Sequence, residues 1–177
     1  ISSIFSLLLV NLAIAQTASA PNAVLAANQP KLAVILNSGE ASVSLIDMPS
    51  RQVIKTVHVG KEPHHLMITP DQKSVLVANA AGNDVVYLDP KTGDMQRRVP
   101  NIVDPYHIGY SPDKKWFIAA GNRLDRVDVY EVHGQELKLA KIVKAAKTPS
   151  HIAFTADSKI TFVTLQDSNE LIAIKLA

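Results

Sequence analysis

The stretch Thr69-Pro70-Asp71-Gln72-Lys73 decides how this chain is read, because it returns twice. It comes back 42 residues on as Ser111-Pro112-Asp113-Lys114-Lys115, and 44 residues after that as Thr155-Ala156-Asp157-Ser158-Lys159. Ahead of each copy stands a second shared element: Pro63-His64-His65, Pro105-Tyr106-His107 and Pro149-Ser150-His151. Behind each comes an apolar run: Val75 to Asn79, Trp116 to Ala120, Ile160 to Val163. Lys31 to Asn37, KLAVILN, is the same run one period earlier. Shared elements held in one register at a period near forty are the mark of a repeat architecture.

Each period divides into four short strands. In the clearest copy these are residues 65–69, 74–79, 84–88 and 95–99. Pro70-Asp71 and Asp89-Pro90-Lys91-Thr92-Gly93 supply the turns, Pro by fixing φ and Asp by bonding nearby backbone. Glu136 to Ala146, ELKLAKIVKAA, has a helix-forming composition, but its place in the repeat predicts a fourth strand. Four strands in 42 to 44 residues predict an all-β propeller of four-stranded antiparallel blades. About three and a half blades are present, over approximately residues 31–63, 64–105, 106–149 and 150–177. A propeller closes with about four to eight blades, so the expectation is an open partial propeller, a fragment at both ends.

Composition narrows the chemistry. The 177 residues hold 18 Lys and Arg against 16 Asp and Glu, too even a balance for a surface that tracks phosphates. Cysteine is absent, which removes thiolate metal sites, redox pairs and cysteine nucleophiles together. No Gly-rich phosphate loop, GxSxG elbow or HExxH motif occurs. The run Lys138, Lys141, Lys144 and Lys147, and the pair Arg97-Arg98, read as charge protecting edge strands.

The first residues read differently. Ile4 to Ala15, IFSLLLVNLAIA, is uncharged, too short to span a bilayer and of the right length for the core of a secretory signal. Small residues follow at Ala13-Ile14-Ala15 and Ala18-Ser19-Ala20. The expectation is a signal and cleavage region over 1–20, truncated at its start, and a leader over 21–30. Cleavage is placed after Ala15. The mature chain is then periplasmic or secreted, with no membrane span.

The repeat resembles the YVTN-type β-propeller family, with VLVAN at 75–79 in the position of the name-giving stretch. The resemblance covers residues 31–177. It implies a YncE-like, seven-bladed exported propeller, similar to the haem-d1 domain of nitrite reductases and to the propellers of nitrous-oxide reductase and amine dehydrogenases. Gln72, Lys114 and Ser158 stand where that family usually has Gly. Trp-Asp repeats are disfavoured, because Phe117 follows the sole tryptophan, Trp116.

In such an architecture His65, His107 and His151 open the innermost strand of successive blades and face the same way, at one mouth of the channel. The loops after the second strands should ring that mouth with Asn79, Asn83, Asp84, Asn122, Arg123 and Asp125, and with Gln166 and Asp167. Two readings of the histidines stand side by side. As blade cement, each bonds a neighbouring loop. As metal ligands, the three, with His64 as an extra, would hold a transition metal and leave an open position.

The expected function is an exported binding or scaffold domain, with a small-molecule ligand or a periplasmic protein partner at the mouth and no cofactor. A redox protein carrying copper or haem d1 on the histidines is the first alternative. A lactonase-like hydrolase, on fold analogy alone, is the second. Nucleic acid is not an expected partner, since the basic runs lack interleaved aromatics.

Overall fold

Fourteen strands follow one another as simple meanders in the computed structural model, which describes residues 32–176. The expected signal and leader segments, 1–20 and 21–30, lie outside the described residues. The first sheet is β1 (Leu32–Asn37), β2 (Ser42–Asp47) and β3 (Gln52–His58), with a short 3-10 turn at Ser38–Glu40. The second is β4 (Pro63–Ile68), β5 (Val75–Asn79), β6 (Asp84–Leu88) and β7 (Met95–Pro100). The third is β8 (His107–Tyr110), β9 (Trp116–Gly121), β10 (Arg126–His133) and β11 (Glu136–Lys144). The fourth is β12 (Pro149–Phe154), β13 (Ile160–Leu165) and β14 (Glu170–Lys175). Every pairing is antiparallel, and the four sheets form an unclosed, partial propeller. The segment with helix-forming composition is β11, paired with β10 from His133–Glu136 to Arg126–Lys144, so register overrode propensity.

Burial explains why the second strand of each repeat is the most apolar. In β5 all five residues are buried, because both of its faces are covered. Val75 and Val77 pack with Val43, Leu45 and Val59 of the first sheet and its linker. Leu76 and Ala78 point the other way, into a cluster with Ile108, Phe117 and Tyr130 of the third sheet. The same alternation repeats in β9, whose Ile118 and Ala120 meet Val163, Leu165 and Ile174 of the fourth sheet. Each fully buried Val, Leu or Ile side chain contributes about 1.5–3 kcal/mol, so these three interfaces carry the fold. The outer strands β7 and β11 are largely exposed.

The recurring Ser/Thr-x-Asp-x-Lys element has one mechanism in all three copies. The hydroxyls of Thr69, Ser111 and Thr155 donate to Asp71, Asp113 and Asp157 at 2.7, 2.6 and 2.7 Å. The same hydroxyl oxygens accept from the amides of Ser74, Trp116 and Ile160 at 3.0, 3.0 and 3.1 Å. Each carboxylate also accepts the amide of Lys73, Lys115 or Lys159 at 3.1 Å. These bonds, the hydroxyl's foremost, hold the three carboxyls below their ordinary range. The turn needs a left-handed residue, and Gln72, Lys114 and Ser158 supply it at φ 60, 65 and 60°. That is the physical reason glycine suits the position.

Candidate functional site

The expected convergence of the histidines is present. Pro63 and Pro149 sit at the starts of β4 and β12, each followed by a register shift that marks a bulge. Such irregularities re-aim side chains. His65 and His107 stack with ring centroids 4.0 Å apart and planes 31° from parallel. His107 and His151 follow at 5.2 Å and 50°. The three imidazoles thus form a tilted column from sheet to sheet. Beside it, His64 stacks on Tyr106 at 3.7 Å, and its Nδ1 lies 2.9 Å from the Tyr106 carbonyl oxygen. Tyr106 takes the place in its repeat that His64 takes in the one before.

Two rings of the column, His65 and His107, are biased toward the uncharged form. Burial, then the neighbouring His65, His151 and His64, push His107 down to about 4. His65 is lowered as well, by burial first and by His64 and His151 next. Neutral imidazole offers one donor and one acceptor, and is also the metal-binding form. The Ile108 amide lies 3.4 Å from His65 Nδ1, and Ser150 Oγ lies 3.0 Å from His151 Nδ1. Among the described residues, His107 Nδ1 is buried with no hydrogen-bond partner. Among the described residues, no group of three His, Asp or Glu side chains is arranged to hold a metal ion.

The expected loop residues sit around this column, most of them already engaged. Asn79 is fully buried; its Nδ2 donates to the Val59 carbonyl at 3.0 Å and to Asp84 Oδ1 at 2.5 Å. Asp84 also pairs with Arg98, whose other terminal nitrogen donates to the Val59 carbonyl at 2.6 Å. Asn83 Oδ1 accepts the Asp104 amide at 2.8 Å, and Asp125 Oδ1 accepts the Thr148 amide at 2.8 Å. These are the same clip, one blade apart. Thr148 in turn donates to Asp167 at 2.5 Å. Asn122 is half-buried at the start of the third loop. Arg98, read from the sequence as edge protection, is instead a link between the first two sheets.

Two residues central to this rim escaped the sequence reading. Asp104, 2% exposed, accepts the amides of Arg123 and Leu124 at 2.7 and 3.2 Å and the Arg123 side chain at 2.9 and 3.1 Å. Glu62 accepts the third nitrogen of Arg123 at 2.6 Å, tying the second sheet's entry to the third sheet's loop. Their signal was available: Glu62, Asp104 and Thr148 are the polar residues before the three repeated prolines, all left-handed at φ 55, 45 and 58°. With the acids and arginines of the rim paired, the mouth presents the stacked rings.

Comparison with solved structures agrees with this architecture. Hydrazine synthase of Kuenenia stuttgartiensis superposes with a TM-score of 0.61 at 19% identity, over 82% of this chain and 46% of that one. The dihydro-haem d1 dehydrogenase NirN, in complex with DHE, gives 0.62 at 18% identity, over 84% and 33%. The WD40 propeller domain of Doa1 gives 0.64 at 15% identity, over 84% and 48%. At such identities the likeness is one of fold, and the chain spans half or less of each of these proteins. No curated protein sequence matches the chain. Among the described residues, no helix is long and apolar enough to cross a membrane. The family model for the YNCE-like beta-propeller matches residues 2–177, and the chain therefore belongs to that family.

Proposed function

We propose that this chain is part of an exported propeller that works as a binding module, with the histidine-lined mouth as its contact surface. The observation that carries the reading is the column of His65, His107 and His151 rings flanked by the His64–Tyr106 stack. Its neighbours on the rim are paired among themselves. What remains for a ligand is stacking surface and neutral hydrogen-bonding groups. A planar, uncharged small molecule, or an aromatic side chain of a periplasmic partner, matches that surface.

A metal- or haem-dependent redox reading has one observation in its favour. The lowered pKa values keep His65 and His107 in the form that ligates iron or copper. A lactonase-like reading has only the shared architecture behind it.

Metal content and visible absorption of the exported protein decide between the first two, measured beside a triple variant His65→Ala, His107→Ala and His151→Ala. The binding-module reading expects neither stoichiometric metal nor a chromophore, and no uptake of added copper or zinc. Stoichiometric metal or a haem band, lost in the triple variant, would replace it with the redox reading.

A further inference from the structure

The repeat is broken at one place away from the mouth. In the first sheet, Leu45 of β2 and Lys55 of β3 are cross-strand partners. Both reach the β6–β7 turn of the next sheet. Leu45 packs where a Cβ on Gly93 would fall, 2.5 Å from Leu45 Cδ2. Lys55 Nζ donates to Asp94 Oδ1 at 2.5 Å and to the Thr92 carbonyl at 3.0 Å. One blade on, Tyr87 of β6 and Arg97 of β7 are the cross-strand partners in the same two places. The hairpin they face is built differently: β10 and β11 run longer and close through the two residues Gly134-Gln135. Among the described residues no carboxylate pairs with Arg97, and a Cβ on Gly134 would meet nothing within 4 Å.

A cavity of about 490 Å³ opens there, at the end of the sheets opposite the histidines. The Arg97 guanidinium lies over the Tyr87 ring, 3.6 Å from its centroid. Among the described residues it has no hydrogen-bond acceptor. Stacking fixes the plane of the fork and leaves its N–H donors free, which suits two-pronged contact with an oxyanion. The Tyr87 and Tyr110 hydroxyls lie 3.2 Å apart in the same wall, and burial pushes the Tyr110 phenol far above its ordinary range. The Tyr110 phenol therefore keeps its proton, and whichever hydroxyl of the pair accepts in their mutual bond can donate to a ligand. Lys73 and Lys114 add two positive charges at the entrance. The one acid on the lining, Asp71, already accepts from Thr69 and from the Lys73 amide.

We propose that this cleft binds a small organic oxyanion, whose carboxylate or phosphate group takes on Arg97 the place that Asp94 takes on Lys55. The aromatic wall and Val132 would cover an apolar body attached to that group. The first sheet satisfies its cation with a neighbour's side chain; the second leaves the position to a ligand.

The test is a titration of the full chain with benzoate, acetate and inorganic phosphate, followed through the Arg97 Nε–H resonance. Saturable shifts at Arg97, tighter for benzoate than for acetate, are expected for a carboxylate ligand. Saturation by phosphate alone would assign the phosphate form of the same site. Arg97→Gln should weaken binding about tenfold or more, and Arg97→Lys, which keeps charge without the fork, should weaken it less. Lys91→Gln, on an exposed turn outside the cleft, should change nothing. Dispersed amide spectra establish that each variant is folded, and Arg97→Lys carries the test should Arg97→Gln not fold. The proposal fails if no probe saturates at Arg97. It fails equally if the folded Arg97 variants bind as the parent chain does, or if the shifts appear only at His65 and His107.

Discussion

The interface between the first and second sheets and the one between the second and third occupy equivalent places, yet they are packed with different chemistry. The first is aliphatic: Val43, Leu45, Val75 and Val77, sealed by Leu45 on Gly93 and by the Lys55–Asp94 pair. The second is aromatic. Phe117 takes the place of Val75 and touches Tyr110 at 5.0 Å and Tyr130 at 6.0 Å between ring centroids. Rings fill the volume but bring hydroxyls with them, and hydroxyls need partners when buried. Tyr130 donates to Asp128, and Tyr87 meets Tyr110. An interface built of Val and Leu can close; one built of Tyr keeps polar groups at its edge and leaves room there. The repeat sets where the blades go, and the residue types at its variable positions set whether a given seam is sealed.

The largest contrast is expected from truncating the equivalent core residues. Phe117→Ala should cost about 3–5 kcal/mol, and Val75→Ala about 2 kcal/mol, read from the midpoint of chemical denaturation. Equal costs would mean that the aromatic seam carries no more of the stability than the aliphatic one.

The two turn glycines should separate next. Both are left-handed, Gly93 at φ 71° and Gly134 at φ 63°, but only Gly93 is packed against a neighbour. Gly134→Ala pays conformational strain alone, about 1 kcal/mol. Gly93→Ala adds the clash with Leu45 and should cost about 2–4 kcal/mol in the same measurement. A closed cleft at Gly134 would bring the two values together.

Acid should act on the aromatic side first. The unfolded chain takes up protons on His65 and His107 near 6.5, whereas the folded chain protonates His107 only at about 4 and His65 below its ordinary value. Between those limits the unfolded state binds more protons, so the histidines' contribution to stability falls as pH drops from about 6.5 and is fully lost near 4, where the lowered carboxyls of Asp71, Asp113 and Asp157 begin to add a further loss. Hydrogen exchange at pH 5 should show β8 losing protection before β2. His107→Gln should flatten the dependence of the melting temperature on pH across that window. A slope unchanged in the variant would mean that His107 is not held neutral.

The smallest effect is a gain. Gln72→Gly and Lys114→Gly relieve left-handed strain and should each stabilise by about 0.5–1 kcal/mol. Ser158→Gly should gain less, since Ser158 Oγ accepts the Asp113 amide at 2.9 Å and that bond would go. Thermal melts of the three single variants rank them.

The contrast between seams also explains what could be read from the chain. Strands and turns were legible because their causes are local: a hydroxyl, a carboxylate and a left-handed residue within six positions. The histidine column was legible because alternation along a strand fixes which face His65, His107 and His151 share. Asp104 was harder, since its partners Arg123 and Leu124 lie in the next loop. The cleft was out of reach. It arises from a hairpin two strands away being longer than its counterpart, and no pattern in β7 announces that Arg97 will lack the acid that Lys55 finds. Arg97 and Arg98 looked alike as a charged pair; alternation sends one to each seam, and the neighbouring sheets give them different fates.

The Ser/Thr-x-Asp-x-Lys turn has a consequence for how such a molecule can grow. In the first copy the bonds of the turn close inside the six residues 69–74 or on Gln96 of the same sheet, so the turn travels with its own blade when a blade is duplicated or lost. The third copy departs from this. Through Ser158 it accepts an amide from the turn of the sheet before it, and is thereby committed to that neighbour. A lineage that adds blades by tandem copying would find the first turn freely portable and the third one anchored, so the seam between the third and fourth sheets is the poorer place to splice.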